Sequence, residues 1–352
     1  MSINKKRVIF LDRNENQYGP APACYRVLRR SNKSTLKDYS RDFTRGVISI
    51  LSERLAKDYG IDEKKILLGY GSEDILKESV QCYINKGDKI MIPSYSWWYY
   101  KKIADEAEGV NIQYPIVEGE NTFSYDVEGM LKIYEEQKPK LVLISSPNNP
   151  TGNRLEIDQL HYILGKIKDS VVVLDEAYSM FDPKYNTNPV ELIQKYPHVI
   201  IIRTFSKYYG LAGIRTGYAF LGANHERLSL LSARYLGFNR LSEKLAIAAL
   251  DSPEYYIRIR NKMSADREKL FKELNKFPGF RAYRSYANFM LVKIPVEIKD
   301  SFKKYLTEKD IIVKFMNEDG LDRHIRITLG THLQNRRLIM LIKSFMKEKN
   351  RT

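Results

Sequence analysis

One lysine stands apart by its neighbours. Lys207 sits in RTFSKYYGLAGIRTGY, residues Arg203–Tyr218, directly after Ser206 and eight positions before Arg215. An amine that is desolvated or set near another cation loses its proton more readily and becomes a nucleophile toward carbonyls. A hydroxyl and a guanidinium beside it are what an anchored phosphate requires. Gly210, Gly213 and Gly217 leave little bulk, so a ligand or another backbone can come close. Alone, Lys207 reads equally well as a surface lysine, but other stretches supply further parts of a site. In SSPNNPTG, Asn149 precedes Pro150 and offers an amide donor, although an asparagine there also serves as a plain turn former. In DEAY, Asp175 follows an apolar run, where a carboxylate is costly unless paired. In GYGSEDIL, Gly71, Ser72 and Glu73 mark a turn into a helix, whose free amides suit a phosphate. In IRITLGT, Arg326 alternates with two isoleucines, and its planar fork matches a carboxylate.

A repeating pattern positions these residues. Val199–Ile202 precedes the lysine, Val171–Leu174 the aspartate and Leu141–Ile144 the asparagine, while Lys89–Ile92 is ended by Pro93. All are short apolar runs of the kind that form buried strands. The three from Leu141 to Ile202 recur about every 30 residues with room for a helix between, the alternation of a mostly parallel α/β sheet. Val47–Tyr59 has helical spacing, with Ile48, Leu51 and Leu55 on one face. After Tyr218 the pattern reads as helical through about Lys276, and Tyr283–Ile294 and Ile325–Thr328 read as strands of a second unit.

With 352 residues the chain is long enough for roughly two domains and a large core. Its hydrophobic share of 43% is ordinary for a globular protein. No apolar run approaches the ~20 residues needed to cross a bilayer, and MSINKKRVIF lacks the apolar core of a signal peptide. Cys24 and Cys82 give neither a metal-ligand spacing nor a disulfide framework, so no metal is expected and a cytoplasmic setting fits. The net charge of +15 is spread along the chain, densest at Lys5–Arg7 and Lys343–Arg351. No nucleic-acid motif accompanies it. Attraction of phosphorylated substrates is the economical reading, though a solvated surface explains the charge equally well.

Taken in order, LDRNENQYGPAP, ILLGYGSEDILKESV, SSPNNPTG, DEAY, RTFSKYYGLAGIRTGY and IRITLGT resemble the fold-type I pyridoxal-phosphate enzymes over nearly the whole chain. They are most similar to the histidinol-phosphate aminotransferase group, which in turn resembles the threonine-phosphate decarboxylases. The resemblance implies an α/β, aspartate aminotransferase-like fold. Residues 41–240 would form a three-layer α/β/α large domain with a mostly parallel sheet, 241–352 a smaller α+β domain and 1–40 an N-terminal arm. It also implies pyridoxal 5'-phosphate as cofactor, held by Lys207 as a Schiff base. Asp175 would then pair with the pyridine nitrogen and keep the ring cationic, able to accept electrons from the substrate's α-carbon. Asn149 and Tyr178 would reach the phenolic oxygen, and Tyr95 would stack on the ring. Gly71, Ser72, Glu73, Ser206 and Arg215 would hold the phosphate. Tyr39 would reach across a homodimer to the partner's cofactor phosphate and substrate, although Ser40 stands where the family carries proline. The aromatic run Trp97–Tyr100 is expected mainly in core or dimer-interface packing.

The implied reaction is transamination, with glutamate as donor and a small phosphorylated ketone or amine as partner. Arg326 would clamp a carboxylate, and Tyr18, Tyr39, Asn149 and Lys314 would face the partner substrate. Lys314 departs from the family, which carries arginine there to hold the substrate's phosphate. Lysine keeps the charge and lacks the planar fork, so the substrate stays open. A decarboxylase of phosphothreonine or phosphoserine is the alternative on the same scaffold. It differs in which α-carbon bond stands perpendicular to the ring, which a sequence does not display. A nucleic-acid-binding regulator would need a further domain, for which the chain has no room.

Overall fold

The computed structural model describes residues 8–185 and 187–349. The basic run Lys5–Arg7, most of MSINKKRVIF and the last residues of the run to Arg351 lie outside them. A seven-stranded sheet forms one unit, in the order Ile66–Gly69, Gly217–Leu221, Val199–Thr204, Val171–Asp175, Leu141–Ser145, Lys89–Pro93, Val110–Tyr114. From Val199–Thr204 outward to Val110–Tyr114 the strands are parallel. Gly217–Leu221 alone runs against both its neighbours.

The apolar runs of the central strands have a physical cause. Side chains alternate across a sheet, and here both faces are covered. Val142, Ile144, Val172, Leu174, Val199 and Ile201 enter one core. Their neighbours Leu141, Leu143, Val173, Ile200 and Ile202 enter the other, with helices Ser72–Tyr83 and Trp98–Glu106. A strand buried on both sides has no polar face, hence the unbroken runs. The result is three layers, helix on sheet on helix.

The second unit is a five-stranded sheet in the order Ile9–Leu11, Ile311–Phe315, His324–Thr328, Phe289–Lys293, Arg281–Ala282. Leu270 and Leu274 of helix Pro253–Leu274, Phe302 of Lys299–Glu308 and Leu338 and Ile342 of His332–Lys349 close a third core on it. The N-terminal strand pairs parallel with Ile311–Phe315, so the start of the chain is built into this smaller sheet.

Three sequence expectations are corrected. Gly217–Leu221 is a strand, not the start of a helical region. Its run YAFL lies between glycines, and a Cβ on Gly217 would fall 2.5 Å from the Ser72 amide nitrogen. Helical structure after it is broken, with Arg240–Leu250 ended before Pro253, whose ring nitrogen has no hydrogen to donate and so starts the next helix. The helix expected from Val47 begins at Ile50, because the Ser49 side chain caps it by accepting from the amides of Leu51 and Ser52. Cys24 and Cys82 are buried and free. Among the described residues no group of side chains suits a metal, and no helix is long and apolar enough to cross a membrane.

Ile201 is fully buried at the centre of the large sheet. Ile201→Ala is expected to lower the unfolding free energy by about 2–5 kcal/mol in chemical denaturation at fixed protein concentration. A loss below about 1 kcal/mol would show that this core is not close-packed.

Candidate active site

The parallel strands end at Ser145, Asp175 and Thr204, the edge where open α/β sheets bind ligands. A cavity of about 680 Å³ lies there, lined from the large sheet's side by these three and from the smaller sheet by Lys314 and Arg326. The segment Asp12–Glu15, leading out of the first strand, forms another wall.

Lys207 follows the strand Val199–Thr204, and its Nζ donates to the Arg13 carbonyl at 3.0 Å. It stands 5.8 Å from the centre of the Tyr178 ring. The Asp175 carboxylate accepts from the Tyr100 hydroxyl at 2.6 Å and the Ala177 amide at 2.9 Å. Burial nevertheless pushes this carboxyl above its ordinary range, against the pull of those hydrogen bonds and of the Lys207 charge. No ion pair neutralises Asp175 among the described residues, so it awaits a cation.

The anion end is built on a tight backbone. Gly71 caps helix Ser72–Tyr83 at φ +94°, and a Cβ on it would fall 2.5 Å from Nη2 of Arg215. Arg215 Nη1 donates to the Ser206 hydroxyl at 3.4 Å, and its other nitrogen reaches Glu73 at 3.5 Å. Ser72, Thr204, Ser206 and Arg215 thus set hydroxyls, a guanidinium and a helix N-terminus around one corner of the cavity.

Arg326 sits opposite Lys314 on adjacent strands. Its Nη1 donates to the Asn149 side-chain oxygen and its Nη2 to the Asp12 carbonyl at 2.7 Å. Its Nε is buried without a partner. Burial pulls this guanidinium below its usual range, and Tyr178, Glu318 and Asp12 push it back up. A buried cation held by neutral oxygens, with one donor unmatched, suits an incoming carboxylate.

Lys207, Asp175, Tyr178, Asn149, Ser72, Glu73, Ser206, Arg215, Lys314 and Arg326 therefore converge on one cavity, with Gly71 beneath Arg215. Two expected residues do not. Tyr95 turns edge-on to Phe123, with ring centres 5.9 Å apart, and packs against Gly320. Trp97, Trp98 and Tyr100 line the cavity instead, while Tyr99 and Tyr100 belong to the core and Trp97 packs against it, as expected of most of this run. Helix Trp98–Glu106 starts just past the turn, which puts residues three apart on one side. Tyr18 lies away from the cavity; its hydroxyl is pushed upward by burial and then by the charge of Asp266. Tyr39 is 68% exposed on this chain and touches no part of the cavity.

Sequence reasoning passed over Thr204, Tyr100 and Asn14. Asn14 is buried at φ +57°, donates to the Tyr178 hydroxyl at 3.0 Å and gives its carbonyl to Asn288. Its signal was present in the turn-forming NEN string, since asparagine tolerates left-handed backbone.

Comparison with known proteins agrees with this geometry. Residues 6–342 match the family model of aminotransferase class I and II. A histidinol-phosphate aminotransferase of Ruminiclostridium cellulolyticum is 33% identical over 93% of this chain and 89% of its own length. Histidinol-phosphate aminotransferase 2 of Archaeoglobus fulgidus is 33% identical over 96% and 93%. The fold matches the crystal structure of the Sinorhizobium meliloti histidinol-phosphate aminotransferase in complex with pyridoxal-5'-phosphate at a TM-score of 0.86 and 24% identity, covering 97% of this chain and 92% of that one. It also matches the L-threonine-O-3-phosphate decarboxylase of Porphyromonas gingivalis at a TM-score of 0.82 and 20% identity, covering 97% and 100%.

The raised pKa of Asp175 makes a signed prediction. A carboxyl that is harder to ionise folded than unfolded stabilises the fold at low pH and loses that contribution as pH rises through its folded value. Asp175→Asn in the cofactor-free protein is therefore expected to raise the melting temperature at pH 8, with the Tyr100 hydroxyl turning to accept from the new amide. A lower melting temperature at pH 8 would show that the carboxylate is already compensated.

Proposed function

The chain belongs to the aminotransferase class I and II family, and from that premise we propose that it is a pyridoxal-phosphate transaminase acting between glutamate and a small phosphorylated ketone or amine of the histidinol-phosphate kind. The carrying observation is the meeting in one cavity of the Lys207 amine, the unneutralised Asp175 carboxylate and the corner built by Ser72, Ser206 and Arg215. The residues fit the cofactor. Lys207 would bond its aldehyde, Asp175 its ring nitrogen, Asn149 and Tyr178 its phenolic oxygen, and the Ser72–Ser206–Arg215 corner, with Thr204, its phosphate. Trp97 offers the aromatic wall assigned beforehand to Tyr95. When bound, pyridoxal phosphate supplies an electron sink for the bond broken at the substrate's α-carbon.

The protein's own residues then divide the work. Arg326, whose guanidinium lines the cavity, holds the donor's α-carboxylate. The Lys207 amine would act as general base toward the substrate's α-proton and as general acid in returning it. Its contact to the Arg13 carbonyl shows one place where the free amine rests. Asn14, by donating to the Tyr178 hydroxyl, fixes which way that phenol turns. Lys314 carries no side-chain hydrogen bond or ion pair among the described residues and faces the partner's phosphate as a point charge.

A homodimer completes the proposal. Tyr39 and Phe43, at 68% and 71% exposure, lie with Leu36 and Ile48 in a stretch of large apolar side chains left open on the single chain. Tyr39 would there meet the partner subunit's cavity. Light scattering is expected to give twice the 41.1 kDa chain mass, and a monomer at working concentration would remove Tyr39 from the site.

Glutamate added to the loaded enzyme should convert the bound cofactor's aldehyde absorbance to that of the amine form, and histidinol phosphate should do the same in the reverse direction. Lys207→Ala should lose the lysine-bound absorbance and lower turnover by at least about 10⁴-fold, as removal of a nucleophile that is also the acid–base group does. Carbon dioxide release from phosphothreonine, with no conversion by glutamate, would transfer the reading to the decarboxylases.

A further inference from the structure

The cavity's substrate side carries more acid than an anion pocket needs. Arg13, Lys314 and Arg326 line it, and so do Asp12, Glu15 and Glu318. A partner recognised only by phosphate and carboxylate calls for cations alone, and carboxylates beside those groups repel it.

Glu318 is the acid whose place is best defined. It is half-buried, lies in the turn after strand Ile311–Phe315 and shares the cavity wall with Lys314 and Met316. Among the described residues the only hydrogen bond to its side chain comes from the neighbouring Asn317 amide, at 3.1 Å on Oε2. Oε1 is left with no donor and no ion pair among the described residues. The turn is anchored. The Leu321 amide donates to the Glu318 carbonyl at 2.9 Å, and Gly320, at φ +77°, lies so close under the Tyr95 ring that a Cβ there would strike its hydroxyl. The turn is thereby tied to Tyr95, and Trp97 and Trp98, just beyond it in sequence, line the same cavity as Glu318. An open carboxylate oxygen beside an aromatic wall suits a flat, nitrogen-bearing ring.

We propose that Glu318 is a specificity-determining residue that accepts a hydrogen bond from a basic, N–H-bearing group of the partner substrate, an imidazole or a similar cationic ring. Lys314 beside it takes that substrate's phosphate. The inference rests on the transaminase reading and adds a contact that selects among phosphorylated partners. Its competitor is that Glu318 merely balances the charge of Arg326. Removing it would then tighten every anionic ligand alike.

The test compares two ligands of the loaded enzyme that differ in one ring. Histidinol phosphate and phenylalaninol phosphate share the amine, the phosphate and the shape, and only the first has ring nitrogens. Binding is read from the intrinsic fluorescence of Trp97 and Trp98, the two tryptophans of the chain, and kcat/KM is measured alongside. The wild type is expected to favour the imidazole ligand about tenfold or more, as a hydrogen bond to a charged group does. Glu318→Gln and Glu318→Ala should both bring the two ligands within about threefold by weakening the imidazole ligand relative to the phenyl one, with the cofactor absorbance unchanged. Equal affinity for the two ligands in the wild type, or an equal change for both in the variants, overturns the proposal. A binding preference lost in both variants, without turnover of either ligand, would support the role of Glu318 and count against the proposed reaction.

Discussion

Asp175 and Glu176 are adjacent acids at the end of one buried strand, and the site depends on their being treated oppositely. Glu176 is buried and fully matched: Arg203 donates to it at 2.8 Å, Thr187 donates to it, and Arg203 is itself held by the Tyr59 hydroxyl at 2.8 Å. Asp175 receives two neutral donors and no cation. Successive side chains on a strand point to opposite faces, so one acid goes into the structure and the other into the cavity. The first pair is a closed ion pair that costs nothing further. The second acid is left poised for a charge that the fold does not contain, and its burial away from water pushes its pKa upward.

Two other charges in the cavity follow the same rule. Among the described residues Lys207 is held by a backbone carbonyl, and Arg326 by an amide oxygen and a carbonyl. Both carbonyls come from Asp12–Arg13, the residues that leave the first strand of the smaller sheet. That strand is short, yet its parallel pairing with Ile311–Phe315 places these carbonyls over the ends of the large sheet's strands. Asn14 extends the link to Tyr178, Thr328 and Asn288. Neutral oxygens hold cations in place without cancelling their charge, so they stay available to a carboxylate or an aldehyde. Three separate cores pay for this arrangement, since unmatched charge at a cavity is a net cost to folding.

The aromatic wall shows where chain order and space part company. Tyr95 and Trp97 are two positions apart, and both are flat and apolar enough to face a ring. The turn after Pro93 sends Tyr95 toward Phe123 and Gly320, and the helix that begins at Trp98 turns Trp97 and Tyr100 inward. Which of two aromatic neighbours faces a cavity depends on a backbone turn and on what packs behind it. Neither is written in residue type.

The sequence by itself determined the strand cores and the reactive types. Unbroken apolar runs are forced on strands buried from both sides, and each motif residue follows directly from such a strand, so Asp175, Asn149, Ser206 and Lys207 were legible from local order. Arg326 was legible by its alternation with isoleucines. The tertiary structure alone decided everything that depends on contact between distant segments. The strand Gly217–Leu221 looked like part of a helical region because its partners, Val199–Thr204 and Ile66–Gly69, are set by pairing across the sheet. Asn14, Tyr100 and Glu318 came into view only when the first strand, the helix after Pro93 and the turn after Phe315 were brought to one edge. Tyr18 left the cavity for the same reason, since a side chain's neighbours are fixed by packing and not by its place in a motif.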